Sequence, residues 1–143
     1  MAKRILVPLS NDDDVDALIP VVADLARGAG ATVRLLHVAP VPENRVDQHN
    51  RVIVFASQEY ERLQAAGHDR LAVVEARLEG IPVEGSVRFG DVAEATVREA
   101  DVFGAELIAV RARRRRWWPR LVLGRAVRRI TRRATSPVMV VAC

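Results

Sequence analysis

Eleven of the 22 basic residues fall between Arg111 and Arg133, and none of the 18 acidic residues follows Glu106. The stretch opens with Arg111, Arg113, Arg114, Arg115 and Arg116, passes through Trp117 and Trp118, and continues with Arg125, Arg128, Arg129, Arg132 and Arg133. Guanidinium forks bind phosphate and carboxylate in pairs of parallel hydrogen bonds. An aromatic ring beside such cations can stack on a base or lie at a membrane interface. The chemistry on offer is anion recognition, with Arg113, Arg115, Arg116, Trp117 and Trp118 as the candidate contacts. The first 106 residues carry a balance of −7 and the remainder +11, so the formal +4 conceals a dipolar molecule able to steer an anionic partner, nucleic acid or an anionic membrane surface. A plainer reading stands beside it. Arg125, Arg128, Arg129, Arg132 and Arg133 recur at helical spacing opposite an apolar stripe, as a solvated helix face does, and the tryptophans equally suit packing onto the domain or a second copy.

Catalytic and metal chemistry find little support in the residue types. His37 lies in a strand-like run and reads as a satisfied core histidine, while His49 and His68 have no nucleophile or ligand set nearby in sequence. Asp12, Asp13 and Asp14 stand at a helix start, where carboxylates complement the backbone dipole more often than they bind a cation. The single cysteine, Cys143, excludes an internal disulfide and a cysteine-based metal cage. We therefore expect no catalytic residues, no metal site and no enzyme activity. No apolar run approaches the roughly 20 residues of a membrane span, and nothing near Met1 reads as a signal peptide. These features imply one cytoplasmic domain over residues 1–143, large enough to bury a core.

The elements that must position these residues follow from the apolar pattern. Short runs at Ile5–Leu9, Val33–Val38, Val83–Phe89, Leu107–Val110 and Val138–Ala142 read as strands buried on both faces. Between them lie helical patterns: from the Asp12 cluster to Gly28 and Gly30, with Pro20 implying a late start or a kink; from about Ile53 to Leu78, weakened by Gly67; from Asp91 to Phe103; and through Leu123, Val127, Ile130 and Ala134. Glu43 to Asn50 reads as a polar connection. Five strands alternating with four helices predict a doubly wound parallel α/β sheet, whose ligands settle beyond the carboxyl ends of the strands at the switch point. The loops there are Ser10–Asp14, Val38–Pro42, Phe89–Asp91 and Arg111–Arg125.

Across nearly its whole length the chain resembles the universal stress proteins. The resemblance rests on Ile5-Leu6-Val7-Pro8, Leu35-Leu36-His37-Val38, Gly90, Glu106-Leu107-Ile108 and Ser136-Pro137-Val138-Met139-Val140-Val141, in that order and spacing. It implies an adenine nucleotide alpha hydrolase-like sheet of order 3-2-1-4-5 and a homodimer joined through the strand Val138–Ala142. In one branch of the family it also implies an ATP site built on Gly-x-x-Gly, nine residues, then Gly and Ser or Thr. On this chain those positions are Arg111, Arg114, Gly124 and Arg125, the family's aspartate after the first strand is Ser10, and its adenine-contact position is Val38. Three of four motif positions and the aspartate have changed. A side chain where backbone must approach phosphate fills the space, so the resemblance implies a degenerate nucleotide site and no bound cofactor. An arginine-based ATP cradle is the runner-up.

Overall fold

The computed structural model describes residues 3–9, 12–114, 121–122 and 124–142; for residues 12, 13, 114, 121 and 122 it describes the backbone alone. The strands are β1 (Arg4–Leu9), β2 (Thr32–Ala39), β3 (Arg45–Val46), β4 (Val52–Val54), β5 (Val83–Phe89), β6 (Leu107–Arg114), β7 (Leu121–Val122) and β8 (Val138–Ala142). The helices are α1 (Asp12–Ala29), α2 (Ala56–Glu75), α3 (Val92–Phe103) and α4 (Arg125–Arg133). β5, β2, β1, β6 and β8 lie side by side, all parallel, with Ile5 opposite Val33 on one side and Leu107 on the other. Counting these five long strands alone, the order is 3-2-1-4-5, as the resemblance implies; that the sheet is parallel is what the alternating pattern predicts.

β1 is the centre, and Ile5, Leu6, Val7 and Leu9 are each at most 3 % exposed. Its odd-numbered side chains join α1 and α2 in one core with Leu18, Val22, Leu35, Leu71 and Val74. Leu6 joins α3 and α4 in the other, with Leu36, Ala100, Phe103, Ile108 and Ile130. Beyond Leu36, toward the β5 edge, the second face turns polar. Glu99 of α3, 2 % exposed, accepts from Arg34 Nη1 at 2.9 Å, Ser86 Oγ at 3.0 Å and Arg88 Nε at 2.9 Å. The Arg34 guanidinium also lies 4.3 Å from the Phe103 ring centroid and is bonded to Glu84.

Three local expectations are corrected. α1 runs unbroken from Asp12, with Pro20 inside it, so of the late start and the kink the late start does not occur. Pro20 is exposed, on the face where the Asp16 carbonyl that loses its helical donor can meet water. The second helix starts at Ala56 instead of Ile53 and ends at Glu75, because Val52–Val54 pairs with Arg45–Val46 as a small antiparallel ribbon. Asp47 Oδ1 accepts from the His49 and Arg51 amides, and Asn50 takes φ 61°, which closes the turn. Arg45 pairs with Glu59 and Asn44 Oδ1 accepts from Ala56 N, tying the ribbon to the helix. The fourth long strand continues past Val110 to Arg114, since β8 accompanies it to Ala112 and β7 pairs with Arg113 and Arg114.

Gly67 does not merely weaken α2. A Cβ there would lie 2.8 Å from His37 Cδ2 and 2.9 Å from Val87 Cγ2, so the glycine is where the helix crosses β2 and β5 most closely. Alanine normally stabilises a helix interior over glycine by about 1 kcal/mol. Here we expect Gly67→Ala to destabilise by about 1–3 kcal/mol through overpacking, read from urea unfolding; a gain in stability would show that the crossing has slack.

Candidate functional site

The carboxyl ends of β1 and β6 part at the switch point, and two arginines converge there. Arg111 is the next residue after Leu107 and Ala109 on the α1 side of β6. Its Nη1 reaches Asp14 Oδ1 in the first turn of α1 at 3.4 Å, with the two side chains 14 % and 15 % exposed. Arg111 Nε is buried without a hydrogen-bond partner among the described residues. From α2, Arg70 Nη1 donates to the Leu9 carbonyl at 3.2 Å and to His37 Nδ1 at 3.0 Å. Arg70 was invisible to motif reasoning. A signal for it existed: Gly67, Arg70, Leu71 and Val74 share one helical face, so a cation sits within the stripe that packs on the sheet.

His37 therefore accepts from a permanent cation through Nδ1, which leaves its remaining proton on Nε2. Burial, and secondly the Arg70 charge, hold its pKa below the ordinary 6.5. The unfolded chain then takes up this proton at a higher pH than the folded one, so stability is full above 6.5 and falls as pH drops toward the folded value. Urea midpoints measured from about pH 8 to about pH 5 are expected to decline through that window, and His37→Gln to flatten the decline. An unchanged slope in that variant would assign the effect to another group.

The remaining sequence candidates separate into groups. Val38 is half-buried and packs into the core shared with α3 and α4. Gly90 follows β5, donates its N–H to the Ala39 carbonyl at 2.9 Å and takes φ 125°, a conformation that requires glycine. Next to it Asp91 caps α3, accepting from Glu94 N at 3.0 Å, and also receives Arg129 Nη1 at 2.8 Å. That capping bond first, and the Arg129 contact after it, hold the Asp91 carboxyl below its usual 3.8. Gly124 precedes α4 at φ −63°, ψ 161°, with nothing among the described residues within 4 Å of an added Cβ, so its conformation and described surroundings admit other residues. Arg125 begins α4 and is exposed; Arg113 is exposed on β6, and the Arg113 and Arg114 backbones lie opposite Val122 and Leu121 in the β6–β7 pairing. Ser10, Arg115, Arg116, Trp117 and Trp118 lie outside the described residues, as does the side chain of Arg114.

Arg125, Arg128, Arg129, Arg132 and Arg133 line a surface groove of about 540 Å³ along α4. A smaller hollow of about 180 Å³ lies beside the start of α3, between Arg88, Gly90, Glu94 and Arg98. Among the described residues no three His, Cys, Asp or Glu side chains gather as a metal would need, and no helix is long and apolar enough to cross a membrane.

A parallel sheet wound on both faces, with its loops gathered at the β1–β6 switch point, defines a Rossmann-like α/β binding fold. Within that class, the model of the universal stress protein family matches residues 1–142, and the chain belongs to that family. No curated protein matches it significantly. Among solved structures, the hypothetical protein MJ0577 is similar at 20% identity with TM-score 0.76, over 99% of this chain and 96% of that one. A universal stress family protein from Burkholderia pseudomallei is 21% identical with TM-score 0.72, over 97% and 95%. A universal stress protein from Archaeoglobus fulgidus, solved in complex with dAMP, is 18% identical with TM-score 0.59, over 96% of each chain. At these identities the likeness shows the fold.

Proposed function

We propose that the chain is a single regulatory or protective binding domain of the universal stress type, cytoplasmic and without catalytic activity, whose nucleotide crevice is closed. The observation that carries this reading is the Arg111–Asp14 contact across the switch point. Where the family's motif has its first glycine, a guanidinium 14 % exposed crosses the crevice. The second glycine position, Arg114, belongs to a strand paired with β7, whereas a phosphate cradle needs backbone N–H groups turned toward the ligand. Titration of the purified protein with ATP and Mg²⁺ in a calorimeter is expected to give no saturable heat. A saturable isotherm would overturn the reading.

One observation favours the runner-up. The Nε of Arg111, unpartnered among the described residues, is a donor that a phosphate would satisfy, and the Archaeoglobus fulgidus relative was solved with dAMP. In that case ATP binds and Arg111→Ala removes it. The domain is further proposed to pair with a second copy through β8, whose described pairing is with β6 alone and which leaves an edge for an equivalent strand; sedimentation at equilibrium tests this. An anionic partner is proposed for the basic C-terminal segment.

A further inference from the structure

We propose that the groove along α4 binds the phosphate backbone of duplex nucleic acid, without reading its sequence. The inference rests on the anionic-partner reading and gives it a place and a chemistry. The groove's described lining is five guanidiniums, those of Arg125, Arg128, Arg129, Arg132 and Arg133. Arg129 is paired with Asp91. Arg133 also feels the Asp91 charge without forming an ion pair; no ion pair to a described carboxylate engages it, Arg125, Arg128 or Arg132, and none of the chain's acids lies beyond Glu106 to approach them along the sequence. Neighbouring guanidiniums three and four residues apart repel, each such pair costing about 0.2–0.5 kcal/mol, and a bound anion would remove that repulsion.

The dimensions select the anion. Arg125 to Arg133 spans eight residue steps, roughly 12 Å of helix, which is more than one phosphate group can bridge. A DNA duplex presents a charge per about 1.7 Å of axis, so a surface of this length meets several phosphates at once. The packing selects how they are met. α4 lies flat on the molecule: Ile130 is 1 % exposed, Val127 and Ala134 pack beside it, and Arg129 bridges to the start of α3. With its other face packed and arginine at most of its exposed positions, α4 offers repeated phosphate contacts and no varied set of donors and acceptors for base edges, so its contacts are assigned to the backbone. The same packing argues against a membrane surface. The apolar face that would enter a bilayer is turned into the core.

The test is fluorescence anisotropy with two labelled duplexes of equal length and unrelated sequence. With four arginines neutralising phosphates, affinity should fall about 150-fold between about 50 and 200 mM salt, equally for both duplexes. Replacing Arg128, Arg132 and Arg133 by Gln leaves one contact and should reduce that ratio to about 3-fold, whereas lysine at the same three positions should preserve it. Circular dichroism checks that each variant keeps its helices. Replacing Arg113, Arg115 and Arg116 by Gln should leave the salt ratio of the unaltered protein. Absent binding, salt-insensitive binding, preference for one sequence, equal binding to phosphatidylserine vesicles, or loss in the loop variant in place of the α4 variant would each overturn the proposal. Nucleotide titration is independent of all these outcomes, so a functional ATP crevice and a failed α4 groove are told apart.

Discussion

Glu99→Ala should cost about 3 kcal/mol, at the lower end of the 3–5 kcal/mol that follows when one partner of a buried ion pair is removed. Its carboxylate is 3 % exposed and receives Arg34, Arg88 and Ser86 together. Truncation leaves Ser86, 9 % exposed, without its acceptor. Arg34, 19 % exposed, keeps only Glu84 and the Phe103 ring. Arg88 is half exposed and recovers water, which is why the lower figure applies. Chemical denaturation reads the result, and a loss below about 1 kcal/mol, the scale of an exposed pair, would show that the network contributes no more than a surface salt bridge. The loss measures an orphaned cluster, not the worth of the pair. Replacing Arg34, Arg88 and Glu99 together by apolar residues of similar size should therefore be far milder than the single change.

Ile130→Ala should cost about 2–5 kcal/mol, and its consequence is local as well as global. α4 has nine residues, five of them arginine, and Ile130 is its one buried side chain among the described residues. A short helix with that many like charges is unstable alone, so its order derives from burying this side chain in the core that also holds Phe103 and Ile108. Hydrogen exchange should show the α4 amides losing protection before those of β1 and β2, and nucleic-acid affinity should fall with them although no arginine has been changed. Uniform loss of protection across the sheet would mean that α4 is held by more than this one residue.

The five-strand sheet was legible because burial on both faces writes continuous apolar runs, and Ile5–Leu9 or Leu107–Val110 admit few other readings. The β3–β4 ribbon was not, since Val52, Ile53 and Val54 are as compatible with a helix start as with a strand, and only the contacts of Asp47, Asn50 and Arg45 decide between them. Motif comparison drew attention to Arg111 and Arg114, yet it treated them as parts of a loop. The strand continues through Arg111 because β8 accompanies it there, and through Arg114 because β7, two residues too short to stand out from the helix-like pattern that follows, supplies the pairing. Arg70 and Glu99 escaped notice for a related reason. Each is a charged residue on a core-facing stripe, and the sequence does not reveal which distant partner makes that position tolerable.

The place of β1 in the sheet also bears on how the chain is made. β2 reaches it early, but its other neighbour, Leu107–Ile108, emerges about a hundred residues later, some 5–20 s at ribosomal rates. Throughout that interval a strand buried on both faces in the finished molecule presents an unpaired edge, the state in which chains recruit one another into aggregates. A nascent chain stalled before Leu107 is thus the form of this protein most in need of a chaperone, and the strand that begins at Leu107 covers the edge as it is released.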